Sequence, residues 1–321
     1  MKTLKIVAAL FFVCQLTANA QEKNVPVKGI AHAELSIKEG GKWVEQKYEG
    51  GEFKSVTNLK VPKSQWDHSH FIRFEGPGWE SNKIAYRLYL DWRNVIDLFG
   101  KVTDSLVLPK VGQDGFESYH HMSSWGMDIL NAGKSLGIGA VGRYVGNDVI
   151  HFKEVDSTSA KIENGAKLSS VIVNYKGWKT ANDKIDLESK LSITANERYT
   201  KHTIIASQKI EGICTGMVKF PNIDLIKKVS ANKKWAYIAT YGKQSIIQDN
   251  LGMAIFYEVG TVKEEVESQL DHLLVFIPTV APVSFYFLGA WEQEKDGIKT
   301  KEEFLSYLDK KLKELNNTNK I

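Results

Sequence analysis

Residues 167–193, KLSSVIVNYKGWKTANDKIDLESKLSI, contain two runs of alternating apolar and polar side chains with a polar connection between them. A period of two is typical of a β-strand with one buried face. The sequence therefore predicts strands over 167–175 and 185–193. Ten other alternating or β-branched runs predict further strands: 31–37, 70–74, 83–90, 137–144, 149–155, 199–206, 235–241, 253–258, 272–277 and 283–291.

Short turns separate these runs, for example Gly76-Pro77-Gly78 and Asn164-Gly165. Many short strands joined by polar turns indicate antiparallel sheets that pack face to face, and not alternating β–α units. The sequence therefore predicts an all-β fold, a large antiparallel β-sandwich.

One clear helix is predicted near the C-terminus. Thr300 is its N-cap and Glu303 completes a capping box. Apolar residues then recur at helical spacing: Phe304, Leu305, Leu308, Leu312 and Leu315. A second helical pattern covers 262–270, with Thr261 as its cap and Glu264 three residues later.

The first twenty residues have the composition of a cleavable export signal. Lys2 and Lys5 precede an apolar run over 6–16, and Ala18-Asn19-Ala20 forms a small-x-small cleavage site. The run is too short to span a bilayer comfortably, and no later stretch is long and apolar enough for a membrane helix. We therefore predict a periplasmic or secreted protein in which residues 21–321 form a single domain.

Charge and cysteine content exclude several classes of protein. The formal net charge is +4 with the signs interspersed, which argues against a nucleic-acid-binding protein. No glycine-rich phosphate loop follows a strand and opens a helix, so no nucleotide cofactor is expected. Once Cys14 leaves with the signal, Cys214 has no partner for an intramolecular disulfide, and we expect it to be a small buried apolar residue.

The segment 119–128, YHHMSSWGMD, gathers a phenol, two imidazoles, an indole and a carboxylate. Such groups suit proton transfer and sugar binding, which makes Tyr119, His120 and His121 the candidate catalytic residues. Trp125 and Asp128 are candidate substrate-binding residues. Adjacent strand residues face opposite sides, so in a strand only one of the two histidines would point into a given cleft.

The segment 71–87 is predicted to form a hairpin with a second set of candidates. Arg73 and Arg87 would each grip a carboxylate through two parallel N–H bonds, Arg73 in a catalytic role and Arg87 in substrate binding. Trp79 offers a face on which a sugar ring would stack, with Glu80 and Asn82 beside it as further substrate contacts. An ordinary salt-bridged hairpin with a packed tryptophan explains the same residues equally well.

Three weaker assignments stay open. His68 and His70 would share one side of a strand and bind a divalent metal together with His121 or Asp128, although no HExxH or CxxC pattern supports this. Lys219, at the end of a strand, is either a contact for an anionic ligand or an exposed lysine. A two-carboxylate glycosidase would draw on the acidic residues Glu75, Glu80, Glu117 and Asp128.

These pieces together resemble the DUF4861 family of secreted bacterial proteins. The resemblance rests on Arg73-Phe74, on residues 79–87, on Tyr119-His120 with Gly126 and Asp128, and on residues 286–291. It implies a large β-sandwich similar to galactose mutarotases and some polysaccharide lyases, and a role in the breakdown of uronic-acid polysaccharides. It also implies elimination of water from a terminal uronic acid. The family pattern carries acidic residues where this chain has Met122 and Trp125, so a carboxylate role at those positions is absent here.

The resemblance and the residues together predict an enzyme, a carbon–oxygen lyase that acts on an acidic oligosaccharide without a cofactor. Arg73 or Arg87 would neutralise the uronate carboxylate, His121 or His120 would remove the C5 proton, and Tyr119 would protonate the leaving oxygen. One alternative is a mutarotase-like or epimerase-like enzyme with Asp128 or Glu80 as its base. The other is a non-catalytic sugar-binding protein.

Overall fold

A computed structural model describes residues 31–295 and 297–321. The predicted export signal at 1–20 lies outside these residues. The strands are, in chain order, β1 (His32–Glu34), β2 (Ser36–Glu39), β3 (Lys42–Val44), β4 (Lys47–Glu49), β5 (Glu52–Ser55), β6 (Asn58–Lys60), β7 (Gly78–Glu80), β8 (Ile84–Leu88), β9 (Ile96–Lys101), β10 (Gly126–Asp128), β11 (Ile138–Val145), β12 (Asp148–Ile150), β13 (Ser157–Asn164), β14 (Leu168–Thr180), β15 (Asp183–Thr194), β16 (Thr200–Ala206), β17 (Ile213–Val218), β18 (Ile226–Val229), β19 (Trp235–Lys243), β20 (Asn250–Glu258), β21 (Val262–Glu267), β22 (Asp271–Phe276) and β23 (Val283–Trp291). Three 3₁₀ turns cover Arg73–Glu75, Ser118–His120 and Val259–Thr261, and one α-helix, α1, covers Lys301–Thr318.

The strands form one large sheet, two smaller sheets and two short ribbons. The large sheet has nine strands in the order β18-β19-β20-β23-β16-β15-β14-β13-β6. The two five-stranded sheets have the orders β1-β7-β8-β9-β10 and β12-β11-β17-β22-β21, and the ribbons pair β2 with β5 and β3 with β4. Neighbouring strands within every sheet run antiparallel, so the predicted all-β sandwich is confirmed.

The core lies between the nine-stranded sheet and the two five-stranded sheets. Alternate residues of β15, such as Leu187 and Leu191, are buried and belong to one apolar cluster with Leu98 of β9 and Ile138 of β11. Each such side chain contributes about 1.5–3 kcal/mol when fully buried. Cys214 on β17 is buried in the same cluster, as the sequence predicts.

The C-terminal helix covers the outer face of the nine-stranded sheet. The predicted capping box is present: the Thr300 side chain accepts a hydrogen bond from the backbone N–H of Glu303, and the Glu303 side chain accepts one from the backbone N–H of Thr300. The apolar face of α1, which includes Phe304 and Leu308, packs on Ala254 and other outward-facing residues of the sheet. Within 31–295 and 297–321, no helix is long and apolar enough to cross a membrane.

Two predicted elements are wrong. The segment 262–270 is not helical, because Val262–Glu267 forms β21, which pairs along β22 at the sheet edge. Its exposed charged residues suit a solvent-facing edge strand as well as a helix. The predicted strand over 70–74 is instead a loop leading into the 3₁₀ turn Arg73–Glu75, in which Phe74 adopts a left-handed φ of 43°. The predicted hairpin is present, with β7 and β8 paired across a turn at 81–83.

Candidate active site

The candidate site lies on the outer face of the sheet formed by β7 to β10. Along β8 and β9 alternate side chains face opposite sides, so Tyr86 and Leu98 enter the core while Arg87 and Asp97 face outward. Asp128 on the adjacent strand β10 joins them. Arg87 Nη2 donates to Asp97 Oδ2 at 2.8 Å and to Asp128 Oδ2 at 2.6 Å, and all three side chains are buried.

Glu75 is a third buried carboxylate near Arg87, so this cluster contains more acidic groups than Arg87 alone can neutralise. Its Oε2 lies 3.9 Å from Arg87 Nη1, and its Oε1 accepts a hydrogen bond from Arg93 Nη2 at 2.6 Å. Burial opposes ionisation of Glu75, but the charges of Arg87 and Arg93 outweigh it and lower the pKa of this carboxyl. Burial, followed by the charge of Asp97, raises the pKa of Asp128 well above its ordinary value. Neighbouring carboxyls therefore favour different protonation states.

The loop between β9 and β10 places a base and an acid over this cluster. His120 Nε2 lies 3.6 Å from Asp128 Oδ2. Burial and the charge of Arg87 lower the pKa of His120, so its imidazole is neutral near pH 7. Burial and the charges of Glu75 and Asp128 raise the pKa of Tyr119, so its phenol keeps its proton. Both groups are in the protonation states that general base and general acid catalysis require.

Two buried donors in this site have no hydrogen-bond partner among the described residues. They are Arg87 Nη1 and Tyr119 Oη. The two side chains are neighbours, with Arg87 Cζ 5.1 Å from the centre of the Tyr119 ring. An unsatisfied buried polar group costs about 1–3 kcal/mol, and a ligand oxygen placed beside the two side chains would accept a hydrogen bond from both donors.

A cavity of about 550 Å³ opens beside Tyr119. Its walls combine aromatic and basic side chains, including His70, Phe116 and His121. His121 is exposed, whereas His120 is only partly exposed and faces Asp128. The two histidines therefore occupy different surroundings, and of the two only His120 is held against the buried cluster.

The loop that carries Tyr119 is anchored by two predicted site residues that lie beneath it. Glu80 is fully buried, contacts Lys101 Nζ at 2.7 Å and accepts hydrogen bonds from the backbone N–H groups of Val107 and Leu108. Arg73 is also buried and donates to Glu34 Oε1 at 2.8 Å and to the Pro109 carbonyl at 2.9 Å. The predicted contacts of Arg73 and Glu80 with substrate are corrected: these side chains position the loop.

Three other predicted residues lie apart from the cluster. Trp79 is fully buried and its Nε1 donates to Thr200 Oγ1 at 2.7 Å, so its face is not available to a sugar. Asn82 accepts a hydrogen bond from the backbone N–H of Asn196 at 2.8 Å, and Lys219 Nζ pairs with a glutamate at 3.0 Å. Trp125, in contrast, is half-buried and packs edge-on against Phe99 next to Tyr119.

The two histidines predicted to bind a metal both contact the ring of Phe116. His68 and His70 flank the Phe116 ring, and both lie in a loop, so they do not share the side of a strand. Ligand atoms of Asp67, His68 and Glu75 lie within 4.8 Å of one another and have the chemistry of a metal site. However, Arg93 Nη2 lies 2.8 Å from Asp67 Oδ1 and 2.6 Å from Glu75 Oε1, so a guanidinium already supplies positive charge there.

The segment between the ribbons and β7 has a strained backbone. Four non-glycine residues have left-handed φ angles: His68 (56°), His70 (60°), Phe74 (43°) and Glu75 (71°). Such angles cost free energy and cluster at functional sites. Here they direct Glu75 toward the two arginines and His70 toward the cavity.

Three residues of the cluster were not predicted from the sequence: Asp97, Arg93 and Tyr89. In the structure, Tyr89 Oη donates to Asp97 Oδ2 at 2.7 Å. A signal for Asp97 is present, since it lies in the apolar run Val95-Ile96-Asp97-Leu98-Phe99. A carboxylate inside a buried strand must be paired or protonated, so such a residue is a candidate for a site.

Comparison with known proteins agrees with the resemblance seen in the sequence. A family model described as "Domain of unknown function (DUF4861)" matches residues 9–321, nearly the whole chain. No curated protein sequence matches the chain. The match to the family model includes the candidate site and the C-terminal helix, and the chain therefore belongs to the DUF4861 family.

Proposed function

We propose that this protein is a carbohydrate-active lyase or dehydratase that eliminates across C4 and C5 of a uronic acid in an oligosaccharide. The observation that supports this most is the pair of unsatisfied buried donors, Arg87 Nη1 and Tyr119 Oη. Acceptor oxygens of a ligand would satisfy both of them. A uronic acid carries such oxygens on adjacent atoms, namely the carboxylate on C5 and the oxygen on C4.

The proposed reaction needs a base, an acid and a positive charge near the carboxylate. His120 accepts the proton from C5, the electron pair of that C–H bond forms the C4–C5 double bond, and the C4–O bond breaks. Tyr119 donates its proton to the departing oxygen, which leaves as water or as the hydroxyl of the shortened chain. Arg87 stabilises the charge that develops on the carboxylate, and such fixed electrostatic stabilisation is the largest contribution in many enzymes.

The charges in the site suit these roles of His120, Tyr119 and Arg87. Asp128 Oδ2 lies 2.6 Å from Arg87 Nη2 and 3.6 Å from His120 Nε2, so one carboxyl group faces both the guanidinium and the imidazole. Because the pKa of Asp128 is raised, a proton on this group reduces the negative charge that an incoming uronate meets. His121, at the cavity wall, is then a substrate contact and not the base.

The test is to incubate the mature protein with uronic-acid oligosaccharides and follow the ultraviolet absorbance of an unsaturated uronate, with mass spectrometry in parallel. Loss of one water indicates a dehydratase, and chain cleavage indicates a lyase. His120→Gln should lower kcat about 10²–10⁴-fold, whereas His121→Gln should act mainly on KM. His272→Gln is the control, because His272 lies on β22, outside the site.

Other outcomes would redirect the assignment. Turnover without new absorbance or loss of mass would favour a mutarotase-like or epimerase-like reaction. Binding that survives His120→Gln, with no chemistry for any oligosaccharide, would favour a sugar-binding protein.

A further inference from the structure

An exposed aromatic pair lies outside the cluster described above. Trp66 is 41% exposed and packs against the half-buried Trp92, with ring centres 6.4 Å apart and planes tilted by 34°. The two indoles line a surface groove of about 230 Å³. Exposing an indole to water is unfavourable, and a tryptophan pair at a groove is a typical surface for a ligand with flat apolar faces.

The groove also carries uncompensated positive charge. Lys60, Lys63 and Lys153 are exposed along it, and none of them forms an ion pair with another residue in the part of the chain that the structure describes. Lys153 Nζ lies 5.3 Å from the centre of the Trp92 ring. The acidic residues of the groove are already neutralised, Asp91 by Arg93 at 2.5 Å and Asp156 by Lys184 at 2.8 Å. The groove therefore attracts anions.

Open surface continues beyond this groove, with acidic as well as basic side chains, Asp148 and Asp271 among them. A second groove of about 440 Å³ shares Trp92 and Lys153 as its wall and adds the exposed Lys134. Trp92 is thus flanked on both sides by open space. A surface of this length suits an extended ligand more than a single small molecule.

The groove is also physically linked to the candidate active site. Asp91 lines the groove, and its partner Arg93 reaches Glu75 of the buried cluster at 2.6 Å. An oligosaccharide bound along the two tryptophans would therefore lie next to the ion pairs that connect Asp91, through Arg93, to Glu75 in the candidate site.

We propose that Trp66, Trp92 and the lysines around them bind the non-reacting part of an anionic oligosaccharide. The indoles stack on sugar rings, and Lys60, Lys63 and Lys153 pair with carboxylate or sulfate groups along the chain. This assignment rests on the proposed function for the identity of the reacting end, but its binding contacts are separate from the residues that would perform the reaction.

The test is calorimetric titration of the mature protein with an oligogalacturonate, a sulfated oligosaccharide and an uncharged cello-oligosaccharide of equal length. The wild-type protein should prefer one of the anionic probes, and added salt should weaken that binding. Trp66→Ala should weaken it about tenfold, the loss of roughly one aromatic contact. Combined Lys60→Gln, Lys63→Gln and Lys153→Gln should abolish the preference over the uncharged probe.

The control is Lys243→Gln, which removes an exposed lysine outside both grooves. Wild-type protein that binds neither anionic probe, or variants that bind the preferred probe as tightly as wild type does, would overturn the proposal. Weakened binding in the variants without any elimination by the wild type would support the groove and refute the lyase assignment. Elimination by the wild type, with unchanged binding in Trp66→Ala, would support the lyase assignment and refute the groove.

Discussion

Removing the hydroxyl of Tyr119 should separate stability from function. The side chain is 1% exposed and its Oη has no partner among the described residues, so the folded state bears its desolvation without a compensating hydrogen bond. Tyr119→Phe should therefore raise the free energy of unfolding, by about 1–3 kcal/mol. The same change removes the proposed general acid and should lower kcat about 10²–10⁴-fold.

Urea denaturation of the protein measures the first effect and the elimination assay the second. Tyr175→Phe is the matched control, because the buried Tyr175 hydroxyl donates to Asn94 Oδ1 and its loss leaves that buried amide oxygen unsatisfied. The control should be destabilised by about 1–3 kcal/mol with activity retained. If Tyr119→Phe is destabilised as much as Tyr175→Phe, the hydroxyl has an internal partner and the argument from the unsatisfied donors fails.

Three further outcomes are expected. Glu80→Gln leaves the buried Lys101 without its carboxylate and should lower the free energy of unfolding by about 3–5 kcal/mol, whereas a role for Glu80 in substrate binding predicts a changed KM with stability intact. Burial raises the pKa of Asp271 from 3.8 to about 7. The folded state thus holds this proton more tightly than the unfolded state, and stability is lost as the pH rises through that interval; Asp271→Asn should flatten this decline of the urea midpoint. Because the pKa of His120 is lowered, kcat/KM should keep its plateau to below pH 6.5, and an acid limb centred above 6.5 would exclude His120 as the base.

The strands were predictable wherever one face is buried. In β15 apolar and polar residues alternate along the sequence just as buried and more exposed side chains alternate in the strand. The predicted strand over 185–193 therefore matches Asp183–Thr194 closely. The segment Val262–Glu267 was not predictable in the same way. It is an edge strand with most of its side chains in solvent, so its conformation is decided by pairing with β22, and the local pattern that resembles a helix start carries no information about that partner.

The candidate site was predictable in its chemistry but not in its partners. Tyr119 and His120 can be recognised from the sequence as residue types that suit proton transfer. Arg87 and Asp97 become neighbours only because the register of β8 and β9 places them opposite each other. Burial was the second unknown. Trp79 lies in a strand whose neighbours cover both of its faces, while Trp66 lies in a polar loop and keeps an open face. Residue type alone does not distinguish a core tryptophan from a binding one.

The arrangement around Arg87 is difficult to explain as a stabilising ion pair. Buried charges are often replaced by apolar residues without loss of stability, so burying one arginine with three carboxylates gains little for the fold. The buried pair of Arg198 and Glu294 shows the structural alternative, one guanidinium held by one carboxylate through two nitrogens at 2.9 and 2.6 Å. Arg87 instead contacts two carboxylates through Nη2, while Nη1 lies 3.9 Å from Glu75 Oε2 and has no hydrogen-bond partner among the described residues. That asymmetry is expected of a guanidinium whose remaining partner is a ligand.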